Sequence, residues 1–265
     1  MSDRTTLPQL RAETRGGVRW LVADNQPRLN AYTTAMWAAL PRLIAEAEQE
    51  PDIRVIVLTG AGDKAFSAGA DISEFETART AAHAAEYDTL NNNAFEALAR
   101  CAKPTIAAIH GYCMGGGLEL AVCCDLRMAS ETALLSIPAA KLGIGYNPRW
   151  IKPLLAVITP ARAKEILYTG RRFTAVQACA MGLVNSVHSP KELSDAVTTL
   201  ANEIAANAPL SILAAKRTID AFVDTPETPD LASLDRLVEA CFASEDYVEG
   251  RRAFMEKRKP QFKGR

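Results

Sequence analysis

The sequence predicts an α/β fold of layered strands and helices followed by a purely helical segment. Two β-branched runs, at residues 53–59 and 105–109, each precede a glycine-bearing turn, which is typical of buried parallel strands that lead towards helices. Strand-like and helix-like segments alternate up to Pro190. After Pro190 the pattern is helical, at residues 193–207, 210–222, 231–243 and 244–257. We therefore expect a core over residues 1–205 and a helical region over residues 206–265.

Composition and charge restrict the class of protein. A chain of 265 residues with 48% hydrophobic residues can bury a large core. Its net charge of -1 argues against a dedicated nucleic-acid binder. Residues 1–17 are polar and no apolar stretch is long enough to span a bilayer, so we expect a cytoplasmic protein without membrane segments. The six cysteines lack zinc spacing and are expected to be reduced thiols.

The first half of the chain shows strands and helices in turn. Residues 18–23 form a strand pattern, and turn residues follow at 24–27. A helix capped by Thr33 or Thr34 comes next and ends before Pro51. Its apolar face consists of Met36, Leu40, Leu43, Ile44 and Ala47. Residues 73–100 are more polar and are expected to form a mobile helical region.

The second half begins with a short buried helix at residues 116–124. Strand patterns follow at residues 126–129 and 133–137, on either side of a turn at Ser130 and Glu131. Farther along, Asn147 is suited to cap a helix whose first residue is Pro148.

Two glycine-bearing segments, residues 64–71 and 110–119, are the main chemical signal in the chain. Turns of this kind leave backbone N–H groups open to a ligand. If the two turns converge, their N–H groups form an oxyanion hole, which stabilises a carbonyl oxygen that gains negative charge during reaction.

Two other patterns have simpler explanations. Residues 60–65 match the G-x-G-x-x-A dinucleotide fingerprint, but residues 66–70 do not begin a helix and no acidic residue follows at the required distance. We therefore expect no nicotinamide site. Asp71 and Glu74 lack further ligands at metal spacing, so a helix cap explains them better than a metal site.

The chain resembles the crotonase superfamily, also called the enoyl-CoA hydratase/isomerase family. The resemblance runs nearly from end to end and is carried by several segments together, which makes it specific. These segments are Asn25-Gln26-Pro27, Leu29-Asn30-Ala31, Ala68-Gly69-Ala70-Asp71, Gly115-Gly116-Gly117-Leu118-Glu119-Leu120-Ala121, Cys124-Asp125-Leu126-Arg127, Ala180-Met181-Gly182-Leu183-Val184 and residues 249–258.

The resemblance implies a crotonase-like spiral of ββα units followed by a C-terminal helical trimerisation region, assembled as a homotrimer or as a homohexamer built from two trimers. It implies acyl-CoA thioesters as substrates, with the N–H groups of Ala70 and Gly116 holding the thioester oxygen. The CoA would lie near Ala68, Asp71 and Ser73, where many members carry a lysine at the position of Ser73. A neighbouring subunit would contribute the residues that correspond to Phe254 and Lys257.

Glu119 is the candidate acid or base. It follows Gly116 by three residues, so on a helix its carboxylate lies on roughly the same face as the Gly116 N–H. From position alone it either complements the helix dipole or serves as the proton-transferring group. The resemblance favours the catalytic role.

The chain departs from familiar hydratases at a second acidic position. Those enzymes carry another glutamate about twenty residues later, after a proline, whereas here Pro138 is followed by Ala139. Tyr146, Asn147 or Arg149 are candidates to replace it, and Arg149 is also suited to hold an acidic acyl group. The alternative is that these are ordinary loop residues ahead of a helix.

We therefore expect an enoyl-CoA hydratase that stabilises an enolate-like intermediate without a metal, flavin or nicotinamide cofactor. The alternatives from the sequence are an enoyl-CoA isomerase, another CoA-thioester reaction such as hydrolysis or decarboxylation, and a CoA-thioester-binding subunit without turnover.

Overall fold

The computed structural model of the chain describes residues 7–71, 74, 84–225 and 227–265. The predicted CoA contact at Ser73 lies outside these residues, as does the first part of the helical region expected at 73–100. The rest of that region is confirmed as a helix from residue 84 onwards.

A six-stranded sheet forms the larger of two sheets. Its strands stand in the order β1-β2-β3-β5-β7-β10. β1 pairs antiparallel with β2, and every other neighbouring pair is parallel. Their bounds are β1 Gln9–Arg15, β2 Val18–Asp24, β3 Val55–Gly60, β5 Thr105–Ile109, β7 Leu126–Ser130 and β10 Ser186–His188.

A smaller four-stranded sheet carries the two glycine-bearing turns. Its order is β4-β6-β8-β9, with β4, β6 and β8 parallel and β9 antiparallel. The chain passes three times from the large sheet to the small one, through β3–β4, β5–β6 and β7–β8. The strands are β4 Ala65–Ser67, β6 Tyr112–Met114, β8 Leu134–Ser136 and β9 Phe173–Thr174.

The described part of the chain contains ten helices. Thr33, Asn147 and Ser244 each cap a helix through the side-chain oxygen. The helices are α1 Thr34–Gln49, α2 Ala84–Ala99, α3 Gly116–Cys123, α4 Pro148–Val157, α5 Pro160–Thr169, α6 Ala175–Ala180, α7 Leu193–Ala205, α8 Pro209–Asp224, α9 Leu231–Ala243 and α10 Glu245–Met255.

The large sheet is buried on both faces, which explains its β-branched strands. Alternate residues such as Val55 and Val57 pack with α7 on one side. Ile56 and Leu58 point to the other side and pack with α1, α2 and α3. The small sheet belongs to this second cluster, so the site that it carries rests on the main core.

Several sequence predictions are confirmed and one needs correction. The strand at 105–109 and the helix at 231–243 have the predicted bounds, and the predicted apolar face of α1 is buried. The correction concerns the glycine turns, because each follows a short strand of the small sheet and not the long strand before it. Residues 60–65 lead into β4 rather than into a helix, as expected for a sequence that only mimics a dinucleotide fingerprint.

The helical end of the chain begins after α7, which ends at Ala205. The functional division between residues 1–205 and 206–265 stays a prediction. The tail beyond α10 folds back along that helix, because the buried Asp246 carboxylate accepts the backbone N–H groups of Lys263 and Gly264 at 2.6 and 2.7 Å. Within the described residues, no helix is both long and apolar enough to cross a bilayer.

Candidate active site

Three adjacent parallel strands of the small sheet end at one edge and define the site. β4, β6 and β8 are neighbours, with Ser67 paired to Cys113 and Met114 paired to Ser136. The segments that follow parallel strands all lie at the carboxyl edge of the sheet. The residues after these strands are the two glycine-bearing turns and the segment that ends at Ala139.

The first turn leaves one backbone donor open. The Gly69 N–H donates to the Ser67 hydroxyl at 3.0 Å, and the Asp71 N–H donates to the Tyr32 carbonyl at 2.9 Å. Between them, the Ala70 N–H has no acceptor among the described residues. Ala70 therefore offers a fixed donor in a turn whose other bonds hold it in place.

The second turn opens at the N-terminus of α3. The Gly115 N–H donates to the Ser136 carbonyl at 2.8 Å, which fixes the turn against β8. The Gly115 carbonyl accepts the Glu119 N–H at 3.2 Å. The N–H groups of Gly116 and Gly117 have no protein acceptor in the part of the chain that the structure describes. The positive end of the α3 dipole adds to their attraction for an anion.

The two turns are in direct contact because both lack side chains where they meet. A Cβ atom on Gly69 would lie 2.8 Å from the Met114 carbonyl oxygen and 3.0 Å from the Gly116 nitrogen. A Cβ atom on Gly117 would lie 2.6 Å from the Ser67 carbonyl oxygen. Gly69 also has a φ of 93°, a conformation that favours glycine. The close approach places Gly69, the neighbour of Ala70, against Gly116.

Glu119 is a buried carboxyl group on the same helix. Its side chain is 1% exposed, and the Tyr146 hydroxyl donates to Oε2 at 2.5 Å. The other oxygen, Oε1, is buried and has no hydrogen-bond partner among the described residues. Burial raises the pKa of Glu119 to about 8, although the Tyr146 hydrogen bond acts in the opposite direction. The carboxyl group is therefore mainly protonated at neutral pH.

A row of aromatic side chains links the two halves of the site. Successive ring centroids lie 4.6, 5.4, 5.3 and 5.5 Å apart along Tyr32, Trp37, Phe95, Trp150 and Tyr146. One end contacts the first turn, since the backbone at position 32 is bonded to Gly69 and Asp71, and the other end donates to Glu119. Tyr32 and Trp37 were not among the site residues predicted from the sequence. The only sequence signal for Trp37 was its place next to Met36 on the buried face of α1.

The position of the missing second carboxylate lies at the same edge. Ala139 begins a 3-10 turn at Ala139–Leu142, after β8, and is half-buried against the core that Ala70 and Tyr146 also contact. Asn147 caps α4 through the Arg149 N–H at 3.0 Å, as its helix-capping interpretation predicted. The Arg149 side chain is exposed, and its role in holding an acyl group stays a prediction.

The remaining predicted substrate contacts are spread along the chain. Ala68 is anchored through its N–H to the Leu29 carbonyl at 2.9 Å. Asp71 is buried and accepts the Asn25 amide at 3.4 Å. Phe254 is 83% exposed in the last turn of α10, and Lys257 follows that helix with a φ of 54°. Their roles in CoA binding, like that of Ser73, stay predictions.

Asp71 and Glu74 are the acidic pair considered above as a metal site, and Glu74 instead binds a helix N-terminus. The Glu74 carboxylate accepts the backbone N–H and the hydroxyl of Thr34, both at 2.7 Å, so it binds the start of α1. In the described ranges, no group of three or more His, Cys, Asp or Glu side chains is arranged to hold a metal ion.

Unused backbone N–H groups at two touching turns beside a buried carboxyl group are an arrangement suited to a class of enzyme that stabilises an oxyanion, and comparison with known proteins specifies the class further. Residues 13–265 match the family model described as enoyl-CoA hydratase/isomerase. The chain belongs to the enoyl-CoA hydratase/isomerase family. The resemblance seen in the sequence is thereby confirmed.

Individual relatives agree with this assignment. The chain is 35% identical to a short-chain-enoyl-CoA hydratase of Clostridium acetobutylicum, covering 92% of this chain and 94% of that protein. It is 35% identical to a carnitinyl-CoA dehydratase of Salmonella arizonae, covering 95% and 97%. The crystal structure of an enoyl-CoA hydratase/carnithine racemase from Magnetospirillum magneticum superposes with a TM-score of 0.92 at 36% identity, covering 97% and 96%. The crotonase fold predicted from the sequence is confirmed.

A methyl group at Gly69 tests the contact between the turns. We expect Gly69→Ala to lower the free energy of unfolding by about 3 kcal/mol or more, because it combines backbone strain with a clash against main-chain atoms. Gly116→Ala is the matched control, since its methyl would meet the Trp37 ring at 3.4 Å with no main-chain atom closer. Urea unfolding measures both variants. Equal losses would contradict the close approach.

The raised pKa of Glu119 predicts a pH-dependent stability. The folded protein keeps this proton up to about pH 8, whereas an unfolded glutamate loses it from about 4.5. Stability therefore falls as pH rises between these values, by roughly 3–5 kcal/mol at about 1.4 kcal/mol per pKa unit. We expect Glu119→Gln to match the wild type below the unfolded pKa of 4.5 and to be more stable above the folded pKa of about 8, measured by chemical denaturation. Parallel pH dependences would show that Glu119 has an ordinary pKa.

Proposed function

We propose that the protein catalyses the reversible addition of water to a 2-enoyl-CoA thioester. In this proposal the N–H groups of Ala70 and Gly116 bind the thioester oxygen as it gains charge, and Glu119 transfers the proton. The observation that carries the proposal is the contact between two turns, each with an unused N–H group. The second turn begins α3, and the same helix carries the buried carboxyl group of Glu119.

The oxyanion donors supply the larger part of the rate enhancement in such a site. Addition to C3 of the enoyl group moves charge onto the thioester oxygen, and fixed N–H donors stabilise that charge more than the neutral carbonyl. One such donor is worth roughly a hundredfold to a thousandfold in rate. Ala70 and Gly116 suit this role because neighbouring hydrogen bonds already hold their turns.

The proton balance of hydration can be met by one carboxyl group. The water oxygen bonds to C3 and a water proton passes to the Glu119 carboxylate, while C2 takes the proton that the neutral carboxyl held before. The group begins and ends the cycle protonated. A pKa near the working pH suits an acid that must also accept a proton.

Isomerisation of a 3-enoyl-CoA to a 2-enoyl-CoA is the second candidate. It needs one group that removes a proton from C2 and returns it to C4, with the charge held in the same oxyanion hole. Ala139 favours this candidate, because an alanine at the position of the second glutamate leaves Glu119 as the single acidic group predicted for the reaction.

The proposal includes the binding partners and the lack of a cofactor. Proton transfer and oxyanion stabilisation need only a carboxyl group and backbone donors, so CoA would enter as part of the substrate and no metal, flavin or nicotinamide would be required. Ala68 and Asp71, together with Phe254 and Lys257 of a neighbouring copy, are the proposed CoA contacts. The cytoplasmic location expected from the sequence stays a prediction.

We also propose that the protein assembles as a homotrimer or homohexamer. The support is the number of large apolar side chains that α8, α9 and α10 leave exposed, which is characteristic of protein–protein interfaces. Their exposed fractions run from 45% to 63% at Ile219, Phe222, Val223, Val238, Phe242 and Val248.

Activity assays with matched variants test the proposed reaction. With crotonyl-CoA we expect loss of the enoyl-thioester absorbance, and we expect Glu119→Gln to lower kcat about a hundredfold or more because the proton-transferring group is lost. Glu131→Gln, at an exposed glutamate, is the control and should keep wild-type kcat.

The same assays separate the alternatives. Turnover of a 3-enoyl-CoA without hydration of crotonyl-CoA would establish the isomerase. Binding of CoA thioesters by calorimetry without turnover of either substrate would establish a binding subunit and refute the enzymatic proposal.

The mass in solution tests the assembly. Because one chain has a mass of 28.6 kDa, light scattering should give three or six times that value for the wild type. We expect Phe242→Glu to dissociate the assembly by placing a charge in an apolar interface. A wild-type mass equal to one chain would overturn the proposal.

A further inference from the structure

The environment of Glu119 is unusual because its two carboxyl oxygens differ. Oε2 accepts the Tyr146 hydroxyl, whereas Oε1 is buried and has no partner among the described residues. If Oε2 held the proton and donated it to the phenol oxygen, the Tyr146 hydrogen would have no acceptor among the described residues. With Tyr146 as the donor to Oε2, a neutral Glu119 carries its proton on Oε1.

We propose that Tyr146 is a positioning residue that directs the acidic proton of Glu119 to Oε1, the oxygen that has no hydrogen-bond partner among the described residues. This inference rests on the proposed function and deepens it, since it says how a site with Ala139 in place of a second glutamate keeps one defined acid. Tyr146 acts through Glu119 and needs no contact with the substrate.

The electrostatic surroundings of Glu119 make Tyr146 its dominant partner. Helix α3 packs against α2, α4 and strands β4, β5 and β6. Among the described residues, the titratable side chains that interact with Glu119 are Tyr146, from the loop before α4, and Cys123, one turn along α3. Burial raises the pKa of both, and the Glu119 charge raises each further, so both stay neutral at physiological pH.

The position of the Tyr146 hydroxyl is set by packing that is independent of the hydrogen bond. Its ring meets the Trp150 ring edge-on with centroids 5.5 Å apart, and Trp150 is held by an indole hydrogen bond to Asn92 at 2.8 Å. Asn147, the residue directly after Tyr146, is held in place as the N-cap of α4. A phenylalanine at position 146 would keep the ring contact and remove only the donor.

Tyr146→Phe therefore isolates the proposed role. Removing a donor that stabilises the ionised carboxylate should raise the pKa of Glu119 further, so the limb of the kcat/KM profile that reports Glu119 should move to higher pH. We expect kcat to fall roughly tenfold to a hundredfold, with KM changed much less, because the proton is less well directed. Tyr168→Phe is the matched control at an exposed hydroxyl and should behave as wild type.

Infrared spectroscopy provides a readout that needs no substrate. The band of the protonated Glu119 carboxyl, assigned by its loss in Glu119→Gln, should shift in frequency and titrate at higher pH in Tyr146→Phe. An unchanged band and titration midpoint would overturn the proposal. If the protein hydrates no enoyl-CoA but the band behaves as expected, the proposed function fails while the pairing of Tyr146 with Glu119 stands.

Discussion

The close approach of two glycine turns is the constraint on which the rest of the site depends. β4 and β6 are neighbouring parallel strands, so their following residues leave the sheet at one edge, but neighbouring strands alone do not bring backbone donors together. The turns meet because Gly69 and Gly117 have no side chains between them and the opposite backbone. With side chains at these positions, the two turns would have to move apart.

Burial of Glu119 is the second constraint, and it has opposite effects on stability and chemistry. The ionised form of a carboxyl group that is 1% exposed lacks the hydration that it would have in the unfolded chain. Ionisation at high pH therefore destabilises the folded protein. The same desolvation keeps a proton on the group at neutral pH, where an exposed glutamate would have none to donate. The fold bears this cost at the residue for which we propose proton transfer.

The sequence could predict those parts of the structure that depend on local patterns. Hydrophobic periodicity located α1, Thr33 and Asn147 marked helix starts, and the glycine clusters identified both turns. It could not predict that short strands of a second sheet precede the turns, because three-residue strands such as β4 and β6 are too short to show a period. Direct contact between Glu119 and Tyr146 depends on the packing of α3 against the loop before α4, and spacing along the chain carries no signal for it.

The aromatic row connects the two glycine-bearing turns with Glu119. Tyr32 is bonded through its backbone to the turn that holds Ala70, and Tyr146 is bonded to Glu119. The three rings between them pack edge to face or at a tilt, an arrangement that aromatic pairs prefer and that resists sliding. Because Trp37 also lies beneath Gly116, the row contacts both donor turns and reaches the acid. A substitution that changes the size of one ring would therefore disturb the turns and Glu119 together. Under the proposed function, the losses in oxyanion binding and in proton transfer would then not be additive.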